Sequence, residues 1–214
     1  MSAAAGLAIV GVLVSACDDD HDGVRGSGTL TSEPRSVSGF DEVVLDGIGD
    51  LIIDVGGTES LTIEAEDNLL PLLTSNVDGS ALTLSTSETI SPTKPITYTL
   101  GAAALEGVSI SGTGDVVAPN LSCETFSAAL SGSGTFDVGG ACDALELSIE
   151  GSGDFDGQDL AVATASVSID GSGDSIVNAT DKLSVVINGS GNVEFVGDPA
   201  TDIEISGSGE VHQR

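Results

Sequence analysis

The sequence predicts an all-β chain wound as a parallel β-helix, a solenoid with coils of about 18–20 residues. Three observations carry that prediction. A Gly-(Ser/Thr)-Gly motif begins at Gly112, Gly132, Gly151, Gly171, Gly189 and Gly207, in steps of 20, 19, 20, 18 and 18 residues. The residues before each motif alternate apolar and polar, the two-residue period of a half-buried strand. No unit contains a useful stretch of 3.6-residue apolar period. A fixed period of this length means stacked units that bury their apolar faces only against one another.

Composition sets the chemistry around that frame. The 214 residues carry 34 Asp or Glu against 5 Lys or Arg, a net charge of −29, yet 40% of them are apolar. That apolar content excludes a disordered acidic chain. Five cations cannot build the patches that neutralise phosphate, so nucleic acid is excluded, as is adsorption to anionic lipid through a basic patch. Aromatics are 3% and glycines number 29, which suits a narrow bore with tight corners.

Taken in chain order, residues 1–16 form an apolar stretch too short to span a bilayer, which needs about 20 residues, and of signal-peptide length. Ser15-Ala16-Cys17 resembles a bacterial lipobox, so Cys17 is the expected lipidation site, although no Lys or Arg precedes the apolar stretch. Asp18-Asp19-Asp20-His21-Asp22 then reads as a solvated tether, which argues against the stretch continuing as a buried helix. The tether and lead-in are assigned to residues 17–34. An extracytoplasmic protein of the cell envelope, anchored to a membrane through Cys17 alone, is the expected location.

Residues 35–214 are expected to form one β-helix domain. Over 35–100 the repeat is loose. Val43-Val44-Leu45-Asp46-Gly47-Ile48-Gly49-Asp50 is an early copy, Leu61–Glu64 and Leu82–Leu84 read as strands, and Ser91-Pro92-Thr93-Lys94-Pro95 reads as a loop. This part is taken as irregular first coils that also cap the solenoid, since bare strand edges invite aggregation. Over 101–211 the repeat is regular. The corner glycine pairs are Gly112 and Gly114, Gly132 and Gly134, Gly151 and Gly153, Gly171 and Gly173, Gly189 and Gly191, and Gly207 and Gly209. Two residues before each corner stand Ile110, Leu130, Ile149, Ile169, Ile187 and Ile205, an expected inner aliphatic ladder.

Equivalent residues on adjacent coils should lie about 4.8 Å apart. Cys123 and Cys142 each stand nine residues before a corner glycine. That separation falls within the roughly 4.4–6.8 Å that a disulfide accepts, and a bridge is expected in an extracytoplasmic chain. Asp50, Asp115, Asp154, Asp174, Asn192 and Glu210 follow the corners as an acidic column. Carboxylates about 5 Å apart repel by about 0.8 kcal/mol in water and about 3 at a surface-like dielectric. Hydrogen bonds from amides of each residue's own turn are the expected relief. Calcium is the one ion this column could take, though the calcium-binding nonapeptide repeat is missing; no other cofactor is implied.

Catalysis is weakly supported. Only Arg25, Arg35, Lys94, Lys182 and Arg214 could serve as the base of a polysaccharide lyase, and His21 and His212 lie in opposite tails. A groove gathering two or three acids with Lys94 or Lys182 would favour a polysaccharide-active enzyme.

Gly39-Phe40-Asp41-Glu42-Val43 leading to Gly47-Ile48-Gly49-Asp50, the segment Leu61-Thr62-Ile63-Glu64-Ala65-Glu66-Asp67-Asn68-Leu69-Leu70, and the serial Ile-x-Gly-Ser-Gly-Asp units together resemble the head GIN domain family of auto-transporter adhesins. The resemblance spans roughly residues 26–211. It implies a secreted or lipid-anchored β-helix of right hand without catalytic residues. A membrane translocator would need many more strands with lipid-facing alternation, so any surface export is expected to depend on another component. The function expected is a non-catalytic envelope module, adhesin-like or structural, whose polar face meets glycans or envelope proteins. The alternatives are a polysaccharide-active β-helix enzyme and a calcium-binding scaffold.

Overall fold

The computed structural model describes residues 23–214; the signal stretch, Cys17 and His21 lie outside the described residues. The chain is a β-solenoid of about five turns with parallel stacked coils. Its first part contains β1 (Val24–Arg25), β2 (Leu30–Arg35), β3 (Glu42–Ile48), β4 (Asp50–Val55), β5 (Ser60–Glu66), β6 (Leu73–Asp78), β7 (Ala81–Thr86), β8 (Ile90–Ser91) and β9 (Thr97–Ala102). The regular part contains β10 (Gly107–Thr113), β11 (Val116–Ser133), β12 (Thr135–Gly151), β13 (Asp154–Gly171), β14 (Ser175–Gly189), β15 (Val193–Val196), β16 (Ala200–Gly207) and β17 (Val211–Gln213).

Every pairing among the regular coils is parallel. The early copy joins the same stack, because β3 pairs in parallel with β10 and sets Gly47 against Gly112. The other end is closed differently. There β2, β5 and β9 form antiparallel pairs, and β6 and β7 make an antiparallel hairpin whose turn carries Gly79 at φ +64°. These antiparallel strands turn the chain back over the first coil. Residues of the lead-in are paired too, since β1 adds to β8 and β2 to β5, so the folded chain begins well before residue 35.

The corner glycines stand in one register from Gly47 through Gly112, Gly132, Gly151, Gly171 and Gly189 to Gly207. Both glycines of each corner leave room for the neighbouring coil, and the first is required by its backbone conformation as well. The first adopts φ between +125° and +146° from Gly112 to Gly207, a backbone region closed to residues with a Cβ. The second supplies room: a Cβ on Gly173 would meet the Gly153 carbonyl oxygen at 2.0 Å and Cγ2 of Ile149 at 2.9 Å. The inner ladder of one coil therefore tucks beneath the corner of the next.

The buried apolar residues make one continuous cluster from Phe40 to Phe195. Leu45, Ile110, Leu130, Ile149, Ile169 and Ile187 are all at most 2% exposed, while Ile205 on the last described coil is 41% exposed. Phe136 and Phe155 stack at 6.2 Å between ring centres within the bore. No loop interrupts the regular coils between one corner and the next, because β11 to β14 run on through them. Unequal coil lengths are absorbed as register shifts, one after Ala118 and another after Asp137. A bulge keeps the ladder paired where a loop would leave backbone groups unsatisfied.

One inward position is poorly matched. Ser175 sits between Phe155 and Val193 in the apolar column, is 2% exposed, and its hydroxyl has no hydrogen-bond partner. Ser175→Ala removes that unpaired group and is expected to raise stability by about 1 kcal/mol. A urea midpoint that rises with an unchanged slope would show it; a fall would contradict the burial argument.

Candidate functional site

The corner column is the first candidate. Asp50 Oδ1 accepts from the Asp115 backbone N–H at 3.2 Å, and Asp115 Oδ1 accepts from Thr135 N–H at 2.9 Å. Asp154 serves Asp174, Asp174 serves Asn192, and Asn192 Oδ1 serves Glu210 in the same manner, at 2.9 to 3.1 Å. This corrects the expectation that each carboxylate bonds amides of its own turn. In-register parallel stacking sets the amide of the following coil directly against it. Each backbone N–H dipole then lies between neighbouring carboxylates and offsets their repulsion. Thr135 and Asn192 also interrupt the charge, so no more than two carboxylates are consecutive. Among the described residues, no three His, Cys, Asp or Glu side chains gather as a metal site.

Cys123 and Cys142 face each other on β11 and β12 and form a disulfide with Cα atoms 4.7 Å apart. The bond ties two coils 19 residues apart in sequence.

Two outward faces flank the corner. Along β10 to β14 the residues before it present in-register columns of side chains. The exposed, polar one runs Ser111, Ser131, Glu150, Asp170, Asn188, and beside it a largely half-buried mixed column runs Ser109, Ala129, Ser148, Ser168, Val186. Asn188 donates to Asp170 at 2.8 Å, so part of this surface is hydrogen-bonded along the stack. Beyond the corner, Ile52 and Val117 are stacked partners 46% and 39% exposed, two residues after Asp50 and Asp115 on the same face.

A cleft of about 230 Å³ opens where the glycine ladder is interrupted. In the coil next to Gly49 the corner is replaced by the loop before β9, and Asp50 N–H bonds the Ile96 carbonyl at 2.9 Å. The loop stands up as a wall. Pro92, Lys94, Pro95 and Ile96 face Ile48, Gly49, Asp50, Thr113, Gly114 and Asp115 across the cleft. Two acids and Lys94 thus meet at one groove.

The wall is held from behind by Glu66, a carboxylate 1% exposed. It accepts from Thr93 Oγ1 at 2.6 Å, Thr93 N–H at 2.8 Å, Lys94 N–H at 3.4 Å and Gly28 N–H at 2.6 Å. Its neighbours extend the clamp, with Asn68 bonding Ser27 N–H and the Arg25 carbonyl, each at 2.8 Å. Burial pushes the Glu66 pKa up, but the hydrogen bonds from Thr93, Gly28 and Lys94 outweigh it and hold the carboxyl below its ordinary 4.5. A depressed carboxylate contributes stability above its unfolded-state pKa and loses it as pH falls through the folded value. Glu66→Gln is therefore expected to melt several degrees below the parent at pH 7, with the gap closing on acidification below about 4.5. A gap independent of pH would place the loss in packing instead.

Neither the clamp nor the cleft follows from the repeat. The sequence carries no signal for the clamp: the alternation Leu61, Ile63, Ala65 puts Glu66 in the outward phase with Thr62 and Glu64, and it is buried only because the Gly28 and Thr93 segments close over it.

These features define a class: a parallel β-solenoid whose surfaces are flat polar ladders and shallow clefts. The chain belongs to the family described as "Putative auto-transporter adhesin, head GIN domain", which matches residues 39–199. Among solved structures it is similar to a putative adhesin from Bacteroides fragilis, at 22% identity and a TM-score of 0.75 over 89% of this chain and 100% of that one. A putative adhesin from Parabacteroides merdae is 20% identical with a TM-score of 0.58, over 89% of this chain and 98% of the other. Another from Parabacteroides distasonis is 23% identical with a TM-score of 0.53, over 89% and 99%. At these identities the likeness establishes the shared solenoid fold. No curated protein matches the sequence significantly.

Proposed function

We propose that the protein is a non-catalytic module of the cell envelope, adhesin-like in role, which presents rigid polar ladders to glycans or partner proteins and is held to a membrane by a lipid on Cys17. The observation that carries this reading is the in-register exposure of Ser, Asp and Asn columns over successive coils. Such a surface is preorganised, so binding it orders few side chains and loses little entropy. The family description and the adhesin descriptions of the structural relatives agree with that role. Among the described residues no helix is long and apolar enough to cross a membrane.

The test is binding by residues 23–214, which share one continuous core. Capture of a defined glycan on an array, or of one envelope protein from solubilised membranes, is expected. Silence in both would refute the reading. The anchor is tested separately by metabolic labelling with an alkyne fatty acid: label is expected on the full chain and none on Cys17→Ser.

The cleft supplies one observation for the rival reading, since Asp50 and Asp115 meet Lys94 there. Each carboxylate already spends an oxygen on a backbone N–H of the next coil, which favours a holding role over proton transfer. No release of reducing ends from neutral polysaccharides is expected.

A further inference from the structure

We infer that the cleft between the Pro92–Ile96 loop and the Gly49/Gly114 corner is a binding site for a neutral pyranose unit of a glycan, with the exposed Ile52–Val117 pair as the platform for the next unit. The inference rests on the binding role proposed above and names the place and the ligand class.

A pyranose presents a rim of hydroxyls and a face of C–H groups, and the cleft offers a partner for each. Asp50 and Asp115 use Oδ1 toward the stack, which leaves their second oxygens to accept from vicinal hydroxyls. Lys94 makes no ion pair among the described residues and can donate to a hydroxyl or ring oxygen. Pro92, Pro95 and Ile48 provide the apolar wall for the C–H face. Gly49 and Gly114 line the floor, and their Cα atoms back onto Tyr98 and the Gly49 carbonyl, so the floor is fixed backbone seated on the core.

Rigidity favours the same conclusion. Two prolines restrict the loop, and the buried Glu66 fixes Thr93 and Lys94 through their backbone N–H groups. A weak ligand such as one sugar gains most from a site that needs no reordering. Charge selects among sugars: two carboxylates in a chain of net charge −29 repel a uronate, while a neutral hexose is indifferent to them. Beyond the acids, Ile52 and Val117 extend an apolar strip across two coils on the same face. A chain of sugars running along the strands, across the stacking direction, would meet corner, acid and apolar platform in succession.

The experiment is an amide chemical-shift titration of residues 23–214 with methyl glucopyranoside, methyl galactopyranoside and methyl mannopyranoside, and with glucuronate as the anionic counterpart. Saturable shifts at Gly49, Thr113, Gly114 and Lys94 are expected for at least one neutral glycoside, with glucuronate binding at least about tenfold more weakly. Thr113→Phe, which fills the cleft from its exposed side, is expected to abolish the shifts. Lys94→Ala should weaken binding by about tenfold, the loss of one charge-assisted hydrogen bond. Both positions are exposed, and retained dispersion of the remaining amides would show that the variants fold. No saturable shift with any neutral glycoside, or shifts that persist in Thr113→Phe, overturns the inference. If arrays show glycan capture that Thr113→Phe leaves intact, the cleft assignment falls and the envelope-binding role stands. Failure of array and protein capture together removes both.

Discussion

Gly171→Ala is expected to lower stability by about 4 kcal/mol, from about 1–3 for backbone strain and about 1–3 for overpacking. Gly171 lies at φ +146°, and a Cβ there would stand 2.1 Å from the carbonyl oxygen of Gly151 in the preceding coil. Relieving that clash means parting two coils at their closest approach. Ser172 N–H donates to Gly151 O at 2.8 Å beside it, so the ladder bond would stretch as well. Against a typical total of about 5–15 kcal/mol, this is a large fraction of what holds a domain folded. Because each coil leans on its neighbours, the loss is expected to spread rather than stay local. Urea unfolding of Gly171→Ala beside Ser172→Ala is the measurement. The serine side chain is exposed, so its removal should change stability by no more than about 0.5 kcal/mol. If the two variants unfold within error of each other, close stacking of the corners is not what sustains the fold.

Removal of the Cys123–Cys142 bridge is the second large effect. The bond closes a loop with a sequence separation of 19, for which chain entropy gives about 3 kcal/mol. The Cys123→Ala/Cys142→Ala pair should unfold at a correspondingly lower urea concentration and ignore added reductant, while the parent moves toward it on reduction. Both sulfurs are held in the bond, so alkylation of the denatured but non-reduced parent should leave both cysteines unmodified. Two alkylated thiols in the non-reduced protein would contradict the bridge. The disulfide and Gly171 lie on different edges of the stack, so their effects are expected to add.

The repeat made most of the architecture legible. Six corners in constant phase specify the parallel register, and the Ile/Leu position two residues before each corner specifies which face turns inward. Both hold in the structure because a two-residue side-chain period and a repeat of about 19 leave no other way to bury one face. The acidic column was legible as a column, but its hydrogen bonding was not. Sequence distance suggested the residue's own turn, whereas Asp115 and Asp174 accept from residues 20 and 18 positions onward. Parallel stacking made those distant amides the nearest donors.

The cleft and its clamp were not legible, since they arise where the repeat is broken. Glu66, Thr93 and Gly28 are spread over some 65 residues with no shared spacing, and only the antiparallel closure of β2, β5 and β9 brings them together.

By itself, then, the sequence determined the solenoid: its coil length, its inward face, its glycine corners, its acidic surface and the pairing distance of Cys123 and Cys142. These depend on local period, and a period is written in the chain. The tertiary structure decided how the stack is closed, which amide each carboxylate serves, and where a cleft forms. Those features depend on contacts between residues with no common phase, which exist only once the coils have stacked.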